Sequence, residues 1–130
     1  KNVAITMKGL LTGTTTKKIA SNAKFEDRWS KRILGVDVKG WWHDTMLAAH
    51  VLDNRGGISS IKFQAFVLLG QPDYDSSIKE YLKSRDPGGY GLNRVKQAPV
   101  KPLLLYCGLD SLLEYLVAKK QKKLLKKEEG

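Results

Sequence analysis

The chain has 130 residues, enough for one domain and too few for two. Its 42% hydrophobic content fits a packed domain and argues against a disordered tract, and its 23 Lys+Arg against 13 Asp+Glu give a formal net charge of +10. A single cysteine, Cys107, excludes an internal disulfide, and the longest apolar runs, Phe66–Leu69 and Leu103–Leu105, are far too short to span a membrane.

The first predicted element covers Val3 to Leu11, where apolar residues recur at helical spacing until Gly13-Thr14-Thr15-Thr16 breaks the pattern. Lys17 to Ser21 reads as a short strand, with Asn22 as a cap for the next helix. From Ala23 to Leu34, Phe25, Trp29, Ile33 and Leu34 form a helical stripe that Gly35 closes. Val36, Val38 and Trp41-Trp42 suggest a second extended stretch. Asp44 then caps a helix through Leu52, and Asp53-Asn54-Arg55-Gly56-Gly57 is a turn. Ser59 or Ser60 opens a helix bearing Ile61, Phe63, Phe66 and Leu69, which Gly70-Gln71-Pro72-Asp73 stops. A weaker amphipathic piece covers Ser76 to Leu82, and Ser84 to Leu92 is loop.

The last element starts near Pro99 or Pro102 and runs to about Lys127. Proline is tolerated in a first helical turn because its missing N–H would have no partner there. Leu105, Leu109, Leu112, Leu116 and Val117 make its expected apolar stripe. Positions 119–130 form a basic tail, and a solvated, fraying end is preferred there over a phosphate contact. The count is about five helices and two short strands, few strands for an α/β domain. A basic chain of this size fits a nucleic-acid partner and an ordinary solvated surface equally well. A reducing, cytoplasmic setting suits the lone cysteine.

Three segments carry candidate chemistry. Tyr106 and Asp110, four apart on the last helix, share a face that continues through Leu113 toward the core. A carboxylate there needs a hydrogen bond, a cation or a metal. Asn22-Ala23-Lys24-Phe25-Glu26-Asp27 opens a helix after a strand, where acidic residues also serve the helix dipole. His43-Asp44-Thr45-Met46-Leu47 puts Asp44 at an N-cap. His43 and His50 are scattered and read as structural, without a zinc site.

Taken in order, Asn-x-Lys-Phe-Glu, His-Asp-Thr-Met-Leu-Ala-Ala-His and Tyr-x-x-x-Asp resemble the second half of the DEDD-type 3′–5′ exonuclease domain of family A DNA polymerases. The segment Asp44 to Arg55 resembles the phage branch in particular, and the likeness runs from about Lys17 to about Gln121. The resemblance implies an α/β, ribonuclease H-like fold and a proofreading hydrolase that removes 3′-terminal nucleotides from single-stranded DNA ends. It implies two Mg²⁺ or Mn²⁺ ions about 4 Å apart. Tyr106 then orients the attacking water, and Asp110 and Glu26 bind metal. Glu26 stands where the family has an aspartate, which leaves direct and water-mediated ligation both open, with Asp27 as a substitute. Asn22 and Lys24, with Phe25, complete that motif, and Asn22 and Lys24 are expected to contact the nucleic acid. Tyr90, in the loop Gly88-Gly89-Tyr90-Gly91, is the aromatic expected to touch nucleic acid, whereas Trp29, Trp41 and Trp42 are expected in the core.

The family's first motif, Asp-x-Glu, has no counterpart here, since residues 1–21 contain no Asp or Glu. Together with Lys1 as first residue, this suggests the C-terminal part of an exonuclease domain whose partners are the missing N-terminal exonuclease segment and a polymerase domain. Two of four metal-binding carboxylates are then lacking, so the chain alone is expected to be inactive. Self-association into a homo-oligomer would cover the helix faces left bare. The competing readings are a non-catalytic nucleic-acid- or polymerase-binding module of the same descent and an RNA-processing member of the DEDD superfamily.

Overall fold

A computed structural model of the chain describes residues 2–86, 88 and 91–128. It is a mixed, mostly helical α/β structure. The elements are α1 (Asn2–Thr12), β1 (Lys18–Ala20), α2 (Ala23–Leu34), β2 (Trp41–Asp44), α3 (Thr45–Leu52), α4 (Ile61–Leu69), α5 (Lys79–Leu82), a 3-10 turn (Val95–Gln97) and α6 (Val100–Glu128).

β1 and β2 form a two-stranded parallel sheet with α2 as its crossover. Lys18 pairs with Trp41, Ile19 with His43 and Ala20 with Asp44, and the register shifts between Lys18 and Ile19. A parallel pair needs such a crossover because both strands run the same way. The second strand is shorter than expected and starts only at Trp41. The backbone before it is engaged elsewhere: the Val38 N–H donates to Asp27 Oδ1 at 2.8 Å and the Lys39 N–H to the Leu11 carbonyl at 2.8 Å.

Helix ends follow local chemistry. Gly35 at φ 69° and Gly70 at φ 71° close α2 and α4 in the left-handed region, where a side chain would be strained. The Ser60 hydroxyl accepts the Phe63 N–H at the start of α4. Asn22 stands at the N-cap of α2, but its side chain makes no cap bond and its φ is 66°. The expected Asn22 cap is therefore replaced. Asp44 accepts the Asn22 and Ala23 N–H groups at 3.1 and 2.7 Å, and the Met46 and Leu47 N–H groups at 3.0 and 3.2 Å. One carboxylate caps two helices and ties the crossover to the strand beside it.

The core lies where α4 and α3 pack on α6. Ala65, Leu113 and Val117 form its centre, with Ile61, Leu68 and Tyr74 against it. The buried stripe of α6 is Leu113, Val117, Ala118 and Gln121. Of the expected stripe Val117 is in the core, but Leu105 is 65% exposed and Leu112 52%. Helical spacing fits both stripes, and a polar group decides between them. Gln121 is fully buried. Its Nε2 donates to the Thr45 carbonyl at 3.0 Å and to Gln64 Oε1 at 3.3 Å. Its Oε1 faces His43 Nε2 at 2.9 Å. Gln64 in turn donates to the Ile58 carbonyl at 2.8 Å. This chain of bonds sets the rotation of α6.

Candidate functional site

The rotation of α6 that buries Leu113, Val117 and Gln121 also fixes Tyr106, Asp110 and Glu114 relative to the sheet. Asp110, Ser111 and Glu114 line an open recess with β1 and with Glu26 and Trp29 of α2. The structure thus gathers Glu26 and Asp110, from opposite ends of the chain, into one cavity. Apolar side chains of α1 and α2, among them Leu10, Leu11 and Ile33, make up much of the remaining wall. Glu26 is exposed in the first turn of α2.

Glu114 was not singled out from sequence. Its position four after Asp110, on the same helical face, is the signal that could have found it. Its Oε1 accepts the Thr45 hydroxyl at 2.5 Å. Burial pushes the Glu114 carboxyl above its usual range. The Thr45 hydrogen bond opposes this, and the charges of Asp110, Asp44 and Glu26 add to it.

Tyr106 is placed differently from Asp110. It does not line the recess. Its ring stacks on Tyr74 with centroids 5.7 Å apart, and the Lys62 ammonium sits 5.6 Å from its centroid. The Tyr74 hydroxyl donates to Asp110 Oδ1 at 2.5 Å. Tyr74 was also missed, because its loop reads only as a helix stop. Burial, then the Asp110 carboxylate, raise the Tyr74 hydroxyl far above its usual value. Burial and Asp110 raise Tyr106 as well, with Lys62 working against them. Lys62 ion-pairs with the buried Asp75. Burial works to lower the Lys62 ammonium, but Asp75, Tyr106 and Asp73 together hold it above the usual range, while Lys62 holds Asp75 below it. Tyr74, Tyr106, Lys62 and Asp75 therefore clasp α4, the loop after Gly70 and α6 together at the back of Asp110.

The other expected site residues lie outside the recess. Asp27, the expected substitute for Glu26, accepts the Val38 N–H and does not line the recess. Asn22 contributes its backbone N–H to Asp44, and Lys24 is exposed on α2. Tyr90 lies outside the described residues. Trp29, expected in the core, is 46% exposed and packs edge-on against Phe25 at 6.0 Å.

Hard divalent cations need several oxygen donors converging at about 2.0–2.6 Å. Among the described residues no group of three or more His, Cys, Asp or Glu is arranged to hold an ion. Asp110 already accepts the Tyr74 hydroxyl, Glu114 the Thr45 hydroxyl, and Asp44 four backbone N–H groups. The donor set present does not by itself fit Mg²⁺ or Mn²⁺. Among the described residues no helix is long and apolar enough to cross a membrane. No family model, curated protein or solved structure matches the chain.

Proposed function

We propose that the chain is the C-terminal part of a ribonuclease H-like 3′–5′ exonuclease domain of the phage-type family A polymerase kind. In this reading Glu26 and Asp110 are its share of a carboxylate set that faces the 3′ end of single-stranded DNA. The observation that carries the reading is their convergence on one recess beside a parallel β-α-β unit. Asp44, in the segment between the two motifs, acts as a structural pin and not as a further ligand. With Asp110 bonded to Tyr74 and too few donors to hold an ion, the chain alone does not trim DNA. Hydrolysis requires the upstream segment that brings the Asp-x-Glu strand. The apolar wall of the recess is the surface that segment would cover.

A second reading is favoured by the Tyr74 hydroxyl on Asp110. A carboxylate held by a neutral phenol serves structure well, and the chain would then be a basic binding module of the same descent, for nucleic acid or a polymerase. Joining the chain to the segment encoded directly upstream separates the two. Metal-dependent 3′ trimming by the joined protein supports the exonuclease reading. An upstream segment without Asp-x-Glu, and no trimming, supports the binding module.

A further inference from the structure

The carboxylate recess leaves a second face of α6 unused. Ser111, Tyr115, Lys119, Lys122 and Lys126 recur at three- and four-residue spacing, so they share one side of the helix. Ser111 lies in the wall of the recess. The row runs from there toward the C-terminal end for about 22 Å, at roughly 1.5 Å per residue. Lys119 Nζ lies 5.4 Å from the Tyr115 ring centroid. Lys122 Nζ lies 4.1 Å from that of Trp42, and Lys17 Nζ approaches the same ring at 5.7 Å.

Two ammonium groups from opposite ends of the chain thus converge on one indole. A ring quadrupole offsets about 0.5–2 kcal/mol per cation and does nothing to stop the two from repelling each other. A bound anion would neutralise both. The carboxylates do not do so: the ion pairs among the described residues are Lys31–Asp37, Arg55–Asp53 and Lys62–Asp75. The lysine end of α6 is also ordered by packing. Lys122 is half-buried against Trp42, and Gln121 beside it is fully buried. The last helix, expected to run to about Lys127, is continuous through Glu128.

We propose that this face binds the phosphodiester backbone of a single nucleic-acid strand and leads it toward the recess. Lys17, Lys119, Lys122 and Lys126 neutralise phosphates, and Trp42 holds two of these lysines in register. Because lysines engage the Trp42 ring, recognition is through phosphates and is insensitive to base sequence. The surface does its work whether or not the carboxylates support hydrolysis.

The test is fluorescence anisotropy of a labelled oligothymidylate with the full chain, in EDTA, over a series of salt concentrations. EDTA keeps any metal-dependent trimming out of the measurement. The variant Lys119→Gln/Lys122→Gln/Lys126→Gln should bind at least tenfold more weakly at low salt. The slope of log K against log salt should fall by about 2, at roughly 0.7 per phosphate contact on a single strand. A control of equal charge, Lys79→Gln/Lys83→Gln/Lys96→Gln, should keep the wild-type slope. If circular dichroism shows the first variant to be unfolded, Lys119→Gln/Lys126→Gln, which alters only exposed residues, gives the same reading at a slope change of about 1.4. Equal losses in the α6 and control variants would overturn the proposal. So would binding to phosphatidylserine vesicles with none to the oligonucleotide.

Discussion

Replacing Gln121 with methionine tests the element that sets the rotation of α6. Methionine keeps the length of the side chain and removes both of its polar ends. Gln64 Oε1, a buried acceptor, then loses its Nε2 donor, while the Thr45 carbonyl loses a second donor and keeps its bond within α3. Each orphaned buried group costs about 1–3 kcal/mol. His43 is only half-buried and regains a water partner. Since methionine packs well, the net loss should be about 1–3 kcal/mol, a sizeable part of the 5–15 kcal/mol typical of a small domain. Urea denaturation followed by far-UV circular dichroism should show a lower midpoint at an unchanged slope. The double variant with Gln64→Leu should cost less than the sum of the single changes by about 1 kcal/mol, because the two amides share a bond. A loss below about 0.5 kcal/mol, or strict additivity, would refute the idea that this network decides which face of α6 is buried.

Two further predictions concern the groups around Asp110. Tyr74→Phe keeps the stack on Tyr106 and deletes the hydrogen bond to a carboxylate, and should cost about 1–2 kcal/mol in the same denaturation assay. A raised folded value for a phenol means that its contribution is complete below its unfolded value near 10.0 and is lost as pH rises beyond it. The wild type should therefore lose stability above pH 10 more steeply than Tyr74→Phe, and parallel curves would contradict this. Glu114 is likewise raised, so its contribution is complete below its unfolded value near 4.5 and is lost as pH rises through the folded one. Thermal melts of Glu114→Gln should gain on the wild type between pH 4 and pH 7, and a constant difference would remove burial as the cause.

Element positions were legible wherever punctuation is local. Gly35 and Gly70 end helices because left-handed backbone favours glycine, and Asp44 and Ser60 start them because their oxygens reach free N–H groups. The inward face of Tyr106 and Asp110 was legible from its continuation through Leu113. The leucine stripe was misplaced because hydrophobic periodicity weighs Leu105 and Leu112 above Gln121, whereas the long-range partners of Gln121 make its burial favourable. Asn22 looks like a cap by composition, and only the pairing of β1 with β2 brings Asp44 to do that work. Tyr74 on Asp110 and Lys122 on Trp42 are tertiary contacts with no spacing to betray them.

The central claim is that Glu26 and Asp110 belong to an exonuclease site that this chain does not complete alone. The most direct measurement incubates a 5′-labelled single-stranded oligonucleotide with Mg²⁺ or Mn²⁺ and either the chain or the chain joined to its upstream-encoded segment. The expected result is no shortening by the chain, and stepwise 3′ shortening by the joined protein that disappears with Asp110→Ala. Robust trimming by the isolated chain that is lost in Asp110→Ala would contradict the claim. So would a joined protein whose trimming is indifferent to Asp110→Ala and Glu26→Ala.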